Sequence, residues 1–238
     1  MEVYIRNVSK IYGKEYVLQE LSFEIMEGQS ILIYGKNGAG KTTLLKILNF
    51  LEKPSDGEVL YLTKKCYLFN KDSLRDLEIQ KKMVYLSQIP VVFTSSVYEN
   101  ILMGLKIRKE RENRKRIFEM VEKFGLYGFK DKCAVSLSTG QKQKLSLIRS
   151  LILDTELLLF DEPTNNLDEM GKMVLKEYLI EKKKMGVSFI ITTPDLKEWE
   201  NFYFDKIFHL KEGRLNDISS ESQKTYMGKY SGIIYGKN

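Results

Sequence analysis

The stretch Ser30–Phe50, "SILIYGKNGAGKTTLLKILNF", decides the fold. Its first five residues are a short apolar run closed by glycine, which reads as a buried strand. From Lys41 the apolar positions take helical spacing, and the pattern carries to Lys53, before Pro54. Between strand and helix lies "GKNGAGKT", Gly35–Thr42, which fits G-x-x-x-x-G-K-[S/T] in the context that makes this pattern a phosphate-binding loop. Glycines let the backbone N–H groups curl around phosphate oxygens with no Cβ in the way. The helix that opens at Lys41 aims its positive end at the same anion. The candidate nucleotide contacts are therefore Gly35, Lys36, Asn37, Gly38, Ala39, Gly40, Lys41, Thr42 and Thr43. Lys41 is expected to reach the β- and γ-phosphates of ATP, and the Thr42 hydroxyl to ligate Mg²⁺.

A second stretch supplies the complementary chemistry. "LLLFDEP", Leu157–Pro163, is an apolar strand with two carboxylates at its C-terminal end, where open α/β sheets bind ligands. Asp161 is expected to hold Mg²⁺, a hard cation that takes oxygen ligands and keeps its waters. Glu162 is the candidate catalytic residue, placed to orient or deprotonate an attacking water.

Strand and helix patterns alternate around these two stretches. "EVYIRNVSKIYG" and "VLQELSFEIMEG" read as strands before the loop, and "SDGEVLYL", "CYLFN" and "MVYLSQ" after it. "GVSFIIT", "KIFHL" and "GRL" follow the acidic pair, with helices predicted from Asp168 and near Lys197. Residues 91–153 interrupt the alternation with helical periodicity throughout. The predicted fold is α/β: a mainly parallel core sheet of the P-loop NTPase type, an N-terminal antiparallel β region and an inserted helical lobe. The polar residues 216–238 have no assigned role.

Composition narrows the function. A hydrophobic content of 43% supports a core, and no apolar run approaches bilayer length. "MEVYIRNVSK" lacks the basic and apolar regions of a secretory leader, so none is expected. Cys66 and Cys133 have no metal-ligand spacing and read as two buried thiols in a reducing compartment. The net charge is +6. Its densest run, Lys106–Arg116, reads as a solvated helix face, and no zinc-finger or aromatic RNA-binding motif accompanies it; no nucleic acid partner is expected.

With "LSTGQ" at Leu137–Gln141 ahead of the acidic pair, these motifs resemble the ATP-binding subunit of ABC transporters over about Met1–Leu215. The resemblance implies one ATP-binding domain, 1–238, with a nucleotide-binding core at 1–90 and 154–215 and a helical signature lobe at 91–153. It implies that Tyr12 stacks on adenine and that Gln88 contacts Mg²⁺ and senses the membrane partner. Ser138, Thr139, Gly140 and Gln141 correspond to the signature, with Thr139 where the family usually has glycine. Asp168, in "NNLD", corresponds to the D-loop, and it also reads as a helix N-cap. The family pairs two copies head to tail, each ATP held by the phosphate loop of one and the signature of the other. The partners implied are a second copy, transmembrane permease subunits on separate chains and a solute-binding protein. The implied location is the inner face of the cell membrane, on the cytoplasmic side.

"TTPDL", Thr192–Leu196, departs from the family pattern: Pro194 stands where a histidine usually contacts the γ-phosphate. Proline offers neither a side-chain donor nor an N–H, so slow hydrolysis is expected unless Thr192, Thr193 or a water takes over. His209, the one histidine, reads as a packed strand residue. The leading reading is an ATPase that powers a transporter. "IPVVFTSSVYENILMGLKIR", Ile89–Arg108, resembles importers of oxyanions such as tungstate, molybdate or phosphate. The alternatives are a non-transport ABC ATPase, such as a cytosolic iron–sulfur-assembly scaffold, and a slow ATP-binding switch.

Overall fold

The computed structural model describes residues 1–62, 66–69 and 77–220, with only the backbone described at 66–69 and 77–78. Residues 221–238, most of the polar C-terminal segment, and the side chain of Cys66 lie outside the described residues.

Two sheets are stacked. The first is antiparallel, in the order β2-β1-β4-β5, from β1 (Glu2–Tyr12), β2 (Glu15–Ile25), β4 (Asp56–Leu62) and β5 (Cys66–Phe69). The second contains β3 (Ser30–Tyr34), β6 (Met83–Leu86), β7 (Leu157–Asp161), β8 (Ser188–Thr193), β9 (Lys206–Lys211) and β10 (Arg214–Asp217). Its order is β10-β9-β3-β8-β7-β6, parallel from β9 to β6, with β10 antiparallel at one edge. The helices are α1 (Lys41–Leu48), α2 (Leu77–Gln80), α3 (Val97–Arg108), α4 (Arg114–Lys123), α5 (Thr139–Leu151) and α6 (Glu169–Lys184). Helices α3–α5 fall between β6 and β7, which forms the inserted helical lobe.

The parallel strands are apolar on both faces because both are covered. Leu32, Leu158, Phe160, Phe189 and Ile191 face a core shared with α5, α6 and the lobe. The intervening Ile31, Ile33, Leu157, Leu159 and Ile190 face a second core shared with α1 and the antiparallel sheet. This two-residue alternation aims successive side chains into opposite cores. The β3, β6, β7 and β8 strands all run toward one end of the sheet, and the two motif stretches are both delivered there.

Several expectations are refined. The first helix stops at Leu48, where Asn49 caps it and Phe50 takes a left-handed φ of 58°. Residues 91–95 are not helical: the fully buried Asn100 side chain accepts from the Phe93 amide at 2.9 Å and donates to the Ser96 carbonyl at 3.0 Å, which holds them as a loop. Helix α3 starts only at the Ser96–Glu99 capping box. The basic run is split between α3 and α4, and Arg108 turns inward to the carbonyls of Met83 and Asp154. Cys133 is exposed, not buried. His209 lies in β9, its ring stacked on Tyr34 at 4.9 Å.

Candidate functional site

The phosphate-loop sequence leaves β3 and enters α1 through Gly40, whose φ of 103° and whose 2.8 Å clearance between a would-be Cβ and the Val17 carbonyl both exclude a side chain. The other helices of eight residues or more, α3 to α6, begin at a residue whose side chain caps the first turn. Helix α1 does not: Gly40 makes no side-chain cap bond, so the first-turn N–H groups have no such partner. Lys36, Asn37 and Gly38 form an exposed rim, while Ala39 packs against the second core. The loop borders a cavity of about 320 Å³, with Lys41, Thr42, Thr43, Gln88 and Glu162 in its wall.

Lys41 is buried. Its ammonium donates to the carbonyls of Gly35 (2.6 Å) and Lys36 (3.2 Å) and lies 3.1 Å from Glu162 Oε1. Thr42 Oγ1 donates to Asp161 Oδ2 at 2.6 Å. Asp161 is fully buried, and its other oxygen accepts from Thr192 Oγ1 at 2.7 Å. The neighbouring phenol of Tyr85 is pushed well above its usual pKa, by burial first and then by the Asp161 charge. Glu162 stands just past β7 with a left-handed φ of 48°. Its Oε2 accepts from Gln88 Nε2 (2.9 Å) and from Asn165 Nδ2 (2.8 Å). The loop, the acidic pair and Gln88, predicted separately along the chain, are brought into one cluster.

A hydroxyl and a buried carboxylate within 2.6 Å make a hard oxygen pair that fits Mg²⁺. Among the described residues no cluster of three or more His, Cys, Asp or Glu is arranged to hold a metal. A cation at this pair would draw further ligands from the Gln88 side-chain carbonyl, which borders the same cavity, and from phosphate and water.

Tyr12 stands beside the loop, near Thr43, with its ring half exposed. Its hydroxyl bonds Glu52 and the Lys10 ammonium lies 5.1 Å from the ring centroid. Burial, with the Glu52 bond second, raises its pKa. The Ser138–Gln141 segment lies apart from the loop. Ser138 and Gln141 form the capping box of α5, with bonds of 3.0 and 3.3 Å. Gly140 passes so close to Asn166 that a Cβ would meet its carbonyl at 2.7 Å. Thr139 borders a different cavity of about 490 Å³, whose wall includes Asn165, Asn166 and Gln88. Gln88 is thus common to both cavities. Asp168 caps α6 through Gly171 N at 2.9 Å and pairs with Lys144 at 2.9 Å; that lysine, first, holds its carboxyl below the usual pKa.

Pro194 follows β8 half-buried. The two threonines offered as replacements are both engaged elsewhere. Thr192 is bound to Asp161. The Thr193 hydroxyl lies 2.9 Å from the Asp195 carbonyl and 3.0 Å from Glu198 Oε2, a carboxylate that Thr164 also reaches at 2.8 Å. Glu198 escaped the sequence reading. Asn165 entered it only as the first residue of "NNLD", without its bond to Glu162.

The sheet order, the strand–loop–helix at its carboxyl end and the inserted lobe define an α/β P-loop NTPase domain. The family model of the ABC transporter matches residues 18–165, more than half of the chain, and the chain belongs to that family. The spermidine/putrescine import ATP-binding protein PotA of Mycoplasma mycoides subsp. mycoides is 30% identical over 229 residues, covering 92% of this chain and 61% of that protein. The methionine import ATP-binding protein MetN of Clostridioides difficile is 34% identical, covering 81% and 61%. The chain thus spans about three fifths of the length of these relatives. A solved dimer of the ATP-binding cassette MJ0796, in a post-hydrolysis state with ADP and Pi, superposes with a TM-score of 0.78 at 26% identity, covering 90% of this chain and 96% of that one.

Proposed function

We propose that this chain is the ATP-hydrolysing subunit of an ABC membrane transporter. The observation that carries the proposal is the uncapped start of α1, whose first residues Lys41 and Thr42 meet the Asp161–Glu162 pair. In this reading the triphosphate lies along the loop, with its phosphates on the free N–H groups and the Lys41 ammonium, and Tyr12 beside the base. Thr42, Asp161 and Gln88 would hold Mg²⁺, which when bound neutralises phosphate charge. A triphosphate competes with Glu162 for Lys41. Once that ion pair is broken, Glu162 Oε1 is free to take a proton from water, while Gln88 and Asn165 keep the other oxygen in place.

Ser138, Thr139, Gly140 and Gln141 act on the nucleotide of a second copy, and Asp168 belongs to the same crossing. Two features support this: α5 presents its start away from the chain's own loop, and the related cassette MJ0796 is dimeric. ATP closes the dimer, and hydrolysis opens it. A permease on separate chains receives the motion. Support for its docking comes from a groove of about 420 Å³ between lobe and core, bordered by the exposed apolar side chains of Leu51, Val91, Phe93 and Ile107. No helix among the described residues is long and apolar enough to cross a membrane. In this reading the chain is a peripheral subunit held by its permease on the cytoplasmic side. For the solute we keep an oxyanion, taken up through a solute-binding protein. This rests on Ile89–Arg108 alone, whereas the relatives above are named for polyamines and methionine. Pro194 favours a second reading, a cassette that binds ATP and turns over slowly.

The deciding experiment is phosphate release by the wild-type protein and Glu162→Gln at saturating MgATP. The glutamine variant, which no longer competes for Lys41 as an anion, is expected to bind ATP at least as tightly as wild type and to lose at least about 10²-fold in kcat. Full activity in that variant would remove Glu162 from its role, and a wild-type protein with no affinity for ATP would sink the whole reading.

A further inference from the structure

Strand β8 is apolar and fully buried from Phe189 to Ile191, then closes with two threonines that are equally buried, of which Thr192 is the first. Packing alone would be served by valine, which has the same shape and no hydroxyl to satisfy. The Thr192 hydroxyl is used twice. It donates to Asp161 Oδ1 at 2.7 Å and accepts the Glu162 backbone N–H at 3.0 Å. The register explains the reach, since Thr192 stands opposite Asp161 across the parallel β7–β8 pair. Asp161 is therefore held at both ends, by Thr192 on Oδ1 and by Thr42 on Oδ2. The peptide that enters Glu162, a non-glycine residue at a φ of 48°, is tied by the same hydroxyl.

We infer that Thr192 is a positioning residue for the reaction: one buried hydroxyl fixes the rotation of the Asp161 carboxylate and the backbone turn that aims Glu162. The inference rests on the function proposed above. It goes further by assigning the orientation of both acids to the end of β8, the strand that carries Pro194 just beyond. Removal of the hydroxyl takes the threonine donor from Oδ1, leaves only Thr42 and the Tyr85 phenol to hold a buried carboxylate that can then rotate, and releases the Glu162 amide. The nucleotide loop itself makes no bond to Thr192, so affinity for ATP without Mg²⁺ does not depend on it.

The test compares wild type, Thr192→Val and Thr192→Ser by phosphate release and by titration with a fluorescent ATP analogue, in EDTA and in Mg²⁺. For Thr192→Val the expected result is a kcat lowered about 10–100-fold, unchanged affinity in EDTA, and a reduced gain in affinity on adding Mg²⁺. Thr192→Ser, which keeps the hydroxyl, is expected to stay within about threefold of wild type in both readouts. The inference is overturned if Thr192→Val keeps wild-type kcat and the full Mg²⁺ gain. It is equally overturned if Thr192→Ser falls as far as Thr192→Val, because the methyl packing would then be responsible. A wild-type protein without MgATP turnover would be a failure of the proposed function instead, so the two are distinguishable.

Discussion

Pro194 sits two residues beyond a threonine whose hydroxyl is spent on Asp161 and directly after another bound to Glu198 and Asp195. The local donors are thus turned into the fold, and proline adds none. Loss of one transition-state donor typically costs on the order of 10²–10³ in rate. Pro194→His is accordingly expected to raise kcat at saturating ATP by about tenfold or more, with little change in KM, because the new donor acts on charge that develops during reaction. An unchanged kcat in steady-state phosphate release would mean that this position does not face the terminal phosphate. Legibility at this scale divides by range. Lys41, Thr42, Asp161 and Glu162 announce themselves through local motifs with a fixed chemistry. Thr192 and Asn165 do not, because their partners are set by strand register and by a turn at Glu162, and neither leaves a pattern in periodicity. The Thr42–Asp161 bond itself spans 119 positions.

At the scale of elements the core strands β3, β7 and β8 were readable because each is a short, mostly apolar run closed by glycine or a polar residue. Helix ends were less so, and the 91–95 loop was missed because a buried asparagine, not periodicity, shapes it. Helix α6 hides a further feature, Lys182, which is 3% exposed and donates to the Leu153 carbonyl at 2.8 Å. Burial first, then the nearby Arg116 charge, lowers its pKa from 10.5 to about 8, with Asp154 and Glu110 pulling the other way. Between those two values the folded protein has released the proton while the unfolded chain still holds it. Stability from this group therefore rises with pH through that window, and below about pH 8 the cost of the buried charge stands in full. Thermal unfolding of wild type and Lys182→Met, at pH 7.5 and at pH 10 (values chosen to bracket the lower pKa), isolates the effect, since all other groups are common to both. The variant is expected to lack the wild-type gain between the two conditions. Parallel curves would show that Lys182 is not charged and buried as described.

At the scale of the whole molecule the question is where the Ser138–Gln141 segment works. Within one chain it borders a different cavity from the Gly35–Thr43 loop, and its capping box leaves the start of α5 facing outward beside Asn166. A site completed by a second copy makes a prediction that one completed within the chain cannot. Lys41→Ala disables the loop. Gly140→Asp disables the signature, both by charge and by the clash with the Asn166 carbonyl that any Cβ would meet. Each variant alone puts a defect in both sites of a symmetric dimer. In an equal mixture half the dimers are mixed, and each mixed dimer carries one site with both defects and one with none. Activity should then return to about a quarter of the wild-type value if the two sites fire independently. If loop and signature instead served the same nucleotide within one chain, every site in the mixture would keep a defect and nothing would return. Phosphate release from the separate and mixed variants, with light scattering to establish that mixed dimers form, decides between the two arrangements. Recovery of activity would also explain why a chain with one phosphate loop presents a further exposed helix start, that of α5, beside a separate polar cavity.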